Sequence, residues 1–187
     1  IIIASCSKEC IENFERAIAK QLNFKTLGDV HHILGWNVNI TEGGDVIINQ
    51  EQYIRRVLKK FNMDNCNSAA TPSLKKQQTS TTEATEEGSN YPYREANGSL
   101  LYISNSTRPD IAQATHNAAR FVAAPTSENI TAVKRIFKYL KGTVNHGIAF
   151  KANKELNLVG YADADFNNDR QDARSTSGFI FLTNGPI

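Results

Sequence analysis

The residues that could most clearly carry out chemistry are two carboxylates near the end of the chain. Asp163 and Asp165 are two positions apart and follow the apolar segment Leu156 to Ala162, which has the pattern of a strand. Residues two apart on a strand share one face. Carboxylates are good magnesium ligands, but the octahedral shell of that ion needs several oxygens. Two adjacent carboxylates alone therefore make an incomplete magnesium site.

The same residues also match the first half of a calcium-binding loop. The run that starts Asp163-x-Asp165-x-Asn167 follows the pattern D-x-[DN]-x-[DN]-G. Asn168 stands where the pattern has glycine, and Arg174 stands at the twelfth position, where a bidentate Glu is needed. No helix is predicted before the loop. A calcium-binding module therefore stays an alternative that departs from its pattern.

Basic side chains are concentrated in two segments of the chain. The protein has 21 Lys and Arg against 19 Asp and Glu, and this net charge of +2 is too small to establish a nucleic-acid partner. The distribution is more informative, because two basic clusters contain one carboxylate each and residues 155 to 187 are mainly acidic. The clusters are Arg55, Arg56, Lys59 and Lys60 with Glu51, and Arg120, Lys134, Arg135, Lys138 and Lys141 with Glu128.

Composition excludes several other classes of protein. The chain has 187 residues, of which 40% are hydrophobic and 21% charged, as in an ordinary globular protein. The sequence contains no run of about 18 apolar residues, so no membrane-spanning helix is predicted. The three cysteines form no CxxC pair, and the histidines have no zinc-site spacing. Cys6 and Cys10 fall on a predicted helix and are expected in or near the core.

The first half of the chain alternates between strand and helix patterns. Ile1 to Ala4 predicts a short strand, and apolar residues spaced by three and four from Ile11 to Leu22 predict an amphipathic helix packed on a sheet. His32 to Asn49 predicts a β-hairpin that turns at Gly43-Gly44, because glycine adopts positive φ without strain. Residues 50 to 61 predict the next helix.

A polar segment separates this half from a helical region. Residues 64 to 92 are rich in Asn, Ser, Thr, Lys and Glu and predict a polar linker. Pro109 marks one helix start, and the segment from Pro125 to Gly142 has both a start and a stop signal. Three short strands are expected to form one incomplete sheet: His146 to Phe150, Leu156 to Ala162 and Phe179 to Thr183.

A series of short motifs occurs along the chain, in order and at consistent spacing. The first half contributes Leu27-Gly28-Asp29, Leu34-Gly35-Trp36, Gln52-Tyr53-Ile54 and Ala70-Thr71-Pro72. The second half contributes Tyr93-Arg94, Gly98-Ser99-Leu100-Leu101-Tyr102, the segments 107–112 and 135–143, Gly160-Tyr161-Ala162-Asp163-Ala164-Asp165, and Arg174-Ser175-Thr176-Ser177-Gly178-Phe179. One such motif is weak, but the series extends over nearly the whole chain, and it resembles the Pol polyproteins of copia-type retrotransposons.

The resemblance implies an α+β segment of the polyprotein, which contains the end of the reverse transcriptase and the start of the RNase H that follows it. Residues 1–63 correspond to the end of the polymerase palm with a primer-grip-like hairpin, and 64–92 to a polar linker. Residues 93–152 correspond to a helical thumb or connection region, and 153–187 to the first strands of an RNase H-like sheet. The polymerase Tyr-x-Asp-Asp turn is expected just before Ile1, so the carboxylates of that turn are not in this sequence.

The resemblance also suggests roles for individual residues. Asp163 matches the RNase H carboxylate that binds Mg²⁺ and orients water, and Asp165 is its candidate helper. Trp36 is a candidate for base stacking, with a half-buried sheet residue as the alternative. Basic residues are candidates for phosphate contact, with a solvated helix face as the alternative. These are Arg55, Arg56, Lys59, Lys60, Lys134, Lys138 and Lys141.

The resemblance implies partners and activities for the parent family, and only part of them is expected of this chain. The implied cofactor is Mg²⁺, which is not expected to bind this chain tightly. The implied partners are an RNA–DNA hybrid or template–primer duplex and the rest of the Pol polyprotein, with no membrane. The implied location is the cytoplasm, within virus-like particles. We expect at most duplex binding from the chain alone, and the rival interpretation is a decayed retroelement remnant with no catalytic role.

Overall fold

The protein has an α+β architecture. The computed structural model describes residues 2–74, 91–152, 157–165 and 175–183. Within these ranges the helices are α1 (Lys8–Ala19), α2 (Glu51–Lys60), α3 (Tyr93–Ser106), α4 (Ala112–Ala119) and α5 (Ser127–Gly142), with a 3-10 turn at Pro109–Ile111. The strands are β1 (His32–Ile33), β2 (Trp36–Ile40), β3 (Val46–Asn49), β4 (Gly147–Phe150), β5 (Leu158–Asp165) and β6 (Thr176–Thr183). None of the described helices is long and apolar enough to cross a membrane.

Four helices form the hydrophobic core. The apolar stripes of α2, α3, α4 and α5 supply most of its buried side chains, among them Ile54, Leu100 and Phe137, which have no exposed surface. Helix α5 starts where the sequence predicts, because Thr126 and Asn129 form a reciprocal capping box. The helix ends at Gly142, so the predicted stop signal is confirmed as well.

Strands β2 and β3 form the hairpin that the sequence predicts. They pair antiparallel, with Val38 opposite Ile48, and Gly44 in the connecting turn has φ +82°. A shorter hairpin joins β1 to β2 through Leu34 and Gly35, which have φ of +51° and +78°. Positive φ at both central residues is typical of two-residue turns that match the twist of a β-ribbon.

Strand β4 belongs to this first sheet, which corrects the expectation of one sheet made from the last three strands. The order is β1-β2-β3-β4, and β4 pairs antiparallel with β3 so that Ile148 lies opposite Ile48. The sequence predicts the strand itself, but its pattern carries no information about a partner so distant in the chain. The helical region therefore begins and ends next to the same sheet.

Strands β5 and β6 form a separate antiparallel pair. Tyr161 lies opposite Ile180, and Asp163 lies opposite Gly178. Large apolar side chains alternate to both faces of this pair, and Phe179 and Phe181 are 76% and 63% exposed. A strand that is apolar on both faces is typical of a sheet that is covered on both sides.

Three expectations for the N-terminal region are wrong. Residues 2–4 form no strand, because no described segment pairs with them. Helix α1 has the predicted amphipathic pattern, yet none of its residues is buried. Cys10 on α1 and Cys6 just before it are exposed rather than near the core.

The first part of the predicted linker lies along α5. The backbone N–H of Ala69 donates to the carbonyl of Lys138 at 3.1 Å, and Arg135 Nη2 donates to Thr71 Oγ1 at 3.0 Å. Cys66 packs against the core. Residues 75–90 lie outside the described part of the chain.

Candidate nucleic-acid interface

Burial along one side of α2 leaves its basic residues on the outside. Asn49 Oδ1 accepts the backbone N–H of Glu51 at 3.1 Å, which satisfies one free donor at the helix start. Ile54, Val57 and Leu58 are then 5% exposed or less. Helical periodicity therefore places the remaining side of α2, with its four cations, toward solvent.

The four cations of α2 differ in how far neighbours already engage them. Arg55 forms an i,i+4 ion pair with Glu51 at 2.8 Å, and Lys60 forms an ion pair with Glu95 of α3 at 2.6 Å. Both pairs are exposed, so their contribution to stability is small and a phosphate can compete for either cation.

Arg56 and Lys59 have no carboxylate partner among the described residues. The Arg56 guanidinium lies 5.8 Å from the centre of the Tyr53 ring, which favours an extended side chain on the helix surface. Lys59 is exposed. Of the four predicted phosphate ligands on this helix, these two are therefore the least engaged.

Helix α5 presents a second row of cations. Lys134, Lys138 and Lys141 are spaced by four and three residues, which places them on one face. The Lys134 ammonium lies 5.5 Å from the centre of the Tyr91 ring. Lys134 and Lys138 are exposed and Lys141 is half-buried, while Val133, Phe137 and Leu140 of the same helix are fully buried.

The structure brings the two basic helices together through their apolar sides. The rings of Phe61, just after α2, and Phe137 of α5 stack with their centres 5.2 Å apart. Because both helices bury apolar residues in one core, their basic faces lie on the outside of a single helical unit.

Trp36 occupies a half-buried position in β2, opposite Ile33. Its indole Nε1–H is buried and has no hydrogen-bond partner among the described residues. Burial limits the area of ring that a base can cover, so the position has the features of the alternative interpretation, a half-buried sheet residue.

The tip of the β1–β2 hairpin is fixed by two tyrosines that stand in the quoted motifs but for which the sequence predicted no role. The hydroxyl of Tyr102 on α3 donates to the carbonyl oxygen of Leu34. The rings of Tyr53 and Tyr102 meet edge to face with centres 5.1 Å apart. Leu34 has positive φ and is 72% exposed, so two tyrosines hold a strained turn at the surface.

A buried arginine is the second feature that the sequence analysis missed. Arg108 is 1% exposed and forms a forked ion pair with Asp110, with Nε–Oδ1 at 2.9 Å and Nη2–Oδ2 at 2.7 Å. Its Nη1 and Nη2 also donate to the backbone oxygen and the Oγ1 of Thr143, both at 2.7 Å. Tyr139 lies against the guanidinium and donates its hydroxyl to Asp110 at 2.8 Å.

This network perturbs the titration of Asp110. Partial burial raises the pKa of the carboxyl, but hydrogen bonds from Arg108 and Tyr139 and the charge of Arg108 outweigh burial and lower the pKa below its usual 3.8. Burial, together with the same carboxylate, raises the pKa of Tyr139. Both directions favour the charged carboxylate and the neutral phenol.

We therefore expect Asp110→Asn to weaken the acid dependence of stability. A carboxyl with a lowered native pKa contributes stability above pH 3.8, and that contribution is lost as the pH falls through the native value. The difference in unfolding free energy between wild type and variant should therefore shrink below pH 3.8. Urea unfolding from pH 7 down to pH 2.5 measures it, and a constant difference at every pH would contradict the expectation.

Asp163 is the residue on which the predicted metal chemistry depends. It lies exposed on β5, and its Oδ1 accepts the backbone N–H of Ala164 at 2.8 Å. Gly178 is directly opposite and a side chain there would meet no atom within 4 Å, so the space beside Asp163 is open. Asp165 ends the same strand, and its side chain lies outside the described residues.

Comparisons with known proteins bear on what these surfaces do. A family profile described as reverse transcriptase (RNA-dependent DNA polymerase) matches residues 1–75. The "Retrovirus-related Pol polyprotein from transposon TNT 1-94" of Nicotiana tabacum is 34% identical over 99% of the chain. Its counterpart from transposon RE1 of Arabidopsis thaliana is 33% identical over 100% of the chain. The chain belongs to the copia-type Pol polyprotein family.

This Pol chain is short relative to those polyproteins, since it spans 14% of the tobacco protein and 13% of RE1. It also resembles an uncharacterized mitochondrial protein of Arabidopsis thaliana, at 28% identity over 96% of the chain and 73% of that protein. No solved structure matches the chain. The reverse transcriptase match covers α1, the hairpins and α2, while α3 to β6 lie beyond that match and align with the polyproteins and the mitochondrial protein.

The described residues of this Pol chain do not fit a magnesium site. In the described ranges, no group of three or more His, Cys, Asp and Glu side chains is placed to hold a metal ion. Asp163 supplies one carboxylate, and an octahedral ion needs several oxygens from protein and water. The possible calcium loop depends on residues 166–174, which lie outside the described ranges.

Proposed function

We propose that this Pol chain binds the template–primer duplex or RNA–DNA hybrid of the parent polyprotein through the basic faces of α2 and α5. The observation that carries the proposal is the arrangement of the two helices. They share one apolar core, and seven cations lie on their outer sides, of which only Arg55 and Lys60 form an ion pair among the described residues. Outward cations on rigid helices suit a polyanion whose phosphates repeat at regular spacing.

The division into functional regions is part of the same proposal. Residues 1–63 would be the end of the polymerase palm, 64–92 a linker, 93–152 a thumb or connection, and 153–187 the first RNase H strands. Asp163 and Asp165 would then be two of the carboxylates of the parent RNase H, which requires Mg²⁺. The parent would act in the cytoplasm, within virus-like particles and together with the rest of Pol. The reverse transcriptase match to residues 1–75 supports the first of these regions.

We expect neutralisation of the α5 lysines to reduce the salt dependence of duplex binding. In the triple variant Lys134→Gln, Lys138→Gln and Lys141→Gln, each lost phosphate contact should reduce the slope of log affinity against log salt by about 0.9, or roughly 2.7 for three. Fluorescence anisotropy with a labelled RNA–DNA hybrid, from 25 to 300 mM KCl, measures the slope as an order-of-magnitude test.

A matched control uses lysines outside the two basic faces. Lys8, Lys20 and Lys25 are exposed in the N-terminal region, so their replacement by Gln removes the same net charge elsewhere. The proposal requires the control to keep the wild-type slope. Equal losses in both variants would mean attraction to net charge alone, and absence of binding by the wild type at low salt would refute the proposal.

A nuclease assay in Mg²⁺ separates binding from catalysis. We expect no hybrid cleavage from the chain alone, because Asp163 has no cluster of further carboxylates among the described residues. Cleavage that Asp163→Asn abolishes would show that the chain completes a site from residues outside the described ranges.

The second candidate function is that of a retroelement remnant without a catalytic role. The similarity to an uncharacterized mitochondrial protein, of which this chain spans 73%, favours it. Sequencing of the flanking gene distinguishes the two candidates. An intact frame with the polymerase Asp pair upstream and further carboxylates downstream supports the enzyme, whereas stops or frameshifts close to either end support the remnant.

A further inference from the structure

Two short connections join the first sheet to the helical core. Gln50 is the single residue between β3 and α2, and residues 143–146 connect α5 to β4. Strands β3 and β4 are neighbours, so both connections leave the sheet from adjacent strands. Any change in the angle between sheet and helices must therefore alter the backbone at these two places.

Adjacent residues of one segment hold both connections. Thr107 Oγ1 donates to Gln50 Oε1 at 2.8 Å, which attaches the first connection to the end of α3. Arg108 donates to the backbone oxygen and hydroxyl of Thr143, each at 2.7 Å, which attaches the second. Thr107 and Arg108 thus link two segments that are far apart in the chain but flank the same pair of strands.

The burial of these residues separates their role from ligand binding. Gln50 is fully buried, and Thr107 and Arg108 are each 1% exposed. A guanidinium this buried cannot reach a phosphate on the surface. Its planar fork engages Asp110 on one side and Thr143 on the other, a geometry that the single ammonium of lysine cannot reproduce.

We propose that Thr107 and Arg108 act as a positioning clamp that sets the orientation of the β1–β4 sheet relative to α2 and α5. The consequence for nucleic acid rests on the proposed function: the clamp keeps the sheet, with its exposed hairpin tip at Leu34, in fixed geometry with the basic faces. A duplex then meets a preformed surface and does not have to order it on binding, which preserves affinity.

The direct test measures the geometry of the sheet against the helices without nucleic acid. Spin labels are placed at Asn39→Cys on β2 and Gln113→Cys on α4, because both positions are exposed. Pulsed electron paramagnetic resonance then measures the distance between the sheet and the helical core. The background carries Cys6→Ser, Cys10→Ser and Cys66→Ala. The clamp variants are Thr107→Val, which removes the hydroxyl, and Arg108→Lys, which removes the fork.

Two controls separate positioning from loss of stability. Val133→Ala destabilises the core on α5 without touching the clamp, and Thr107→Ser keeps the hydroxyl. We expect a broadened distance distribution in Thr107→Val and Arg108→Lys, and a distribution of wild-type width in both controls. Wild-type width in Thr107→Val would overturn the proposal, and so would equal broadening in Val133→Ala. If Arg108→Lys does not fold, the comparison of Thr107→Val with Thr107→Ser is sufficient to test the proposal.

Duplex binding supplies the second readout. Thr107→Val is expected to weaken hybrid binding by about tenfold at an unchanged salt slope, because phosphate contacts remain while preorganisation is lost. A slope reduced by about one unit would instead mean that Thr107 supports a phosphate contact, and it would refute the positioning role. If the wild type binds no duplex, the proposed function fails, while the label distances still test the clamp.

Discussion

Arg108→Ala should lower the free energy of unfolding by about 3 kcal/mol, because removal of one member of a buried ion pair leaves its partners unsatisfied. The variant deprives Asp110 of its forked partner and leaves two oxygens of Thr143 without their donors. Asp110 has 37% of its side chain exposed, so water recovers part of the loss and the value lies at the lower end for buried pairs. The Tyr139 ring also loses its packing against the Arg108 guanidinium.

Urea denaturation of Arg108→Ala measures this loss, and Arg55→Ala is the matched control. Arg55 also forms an ion pair with a carboxylate, but its side chain is 57% exposed. Its loss should cost less than about 1 kcal/mol, because exposed pairs contribute little. If both arginine variants fall within that smaller range, the buried network does not stabilise the fold as described.

The second large effect is expected at Gly147, the first residue of β4. A Cβ at this position would overlap the carbonyl oxygen of Ile48 and lie 2.7 Å from the Cβ of Asn49. Relief requires the β3 and β4 backbones to separate. We expect Gly147→Ala to lower the free energy of unfolding by about 3 kcal/mol, the upper end for insertion of one methyl group into a packed site.

Gly160→Ala is the matched control for that variant. A Cβ there would lie 2.9 Å from the Phe181 ring, but this ring is 63% exposed and can rotate away. The change should stay within about 0.5 kcal/mol of wild type, as for most surface substitutions. Hydrogen exchange gives a local readout, since Gly147→Ala should expose the Ile48 and Ile148 amides first. Equal stability of the two variants would contradict this account of Gly147.

Local signals in the sequence were sufficient for the elements that depend on near neighbours. The β2–β3 hairpin follows from alternating residues around a glycine turn, and α5 follows from its cap and its stripe of apolar residues. The partner of β4 was not predictable, because the pairing of Ile148 with Ile48 depends on the whole helical core between them. The strand expected at Ile1 to Ala4 failed for a related reason: a strand needs a partner, and periodicity does not supply one.

The candidate site was predictable to a similar extent. The outward position of Lys59 and Lys138 follows from helical periodicity once the buried face is known. The role of Arg108 did not follow, because arginine is rarely buried without a partner and its partner Thr143 is 35 positions away. The motifs around both residues were visible in the sequence, but their contact was not.

The pairing of β3 with β4 has a consequence for the order in which the chain acquires its structure. Val46 meets Phe150, so the sheet closes only when residues roughly one hundred positions apart meet, and such distant contacts form slowly. During synthesis the β2–β3 hairpin leaves the ribosome long before its last partner strand exists. The outer edge of β3 then stays open until β4 has been made, and in that interval it is exposed to pairing with another chain.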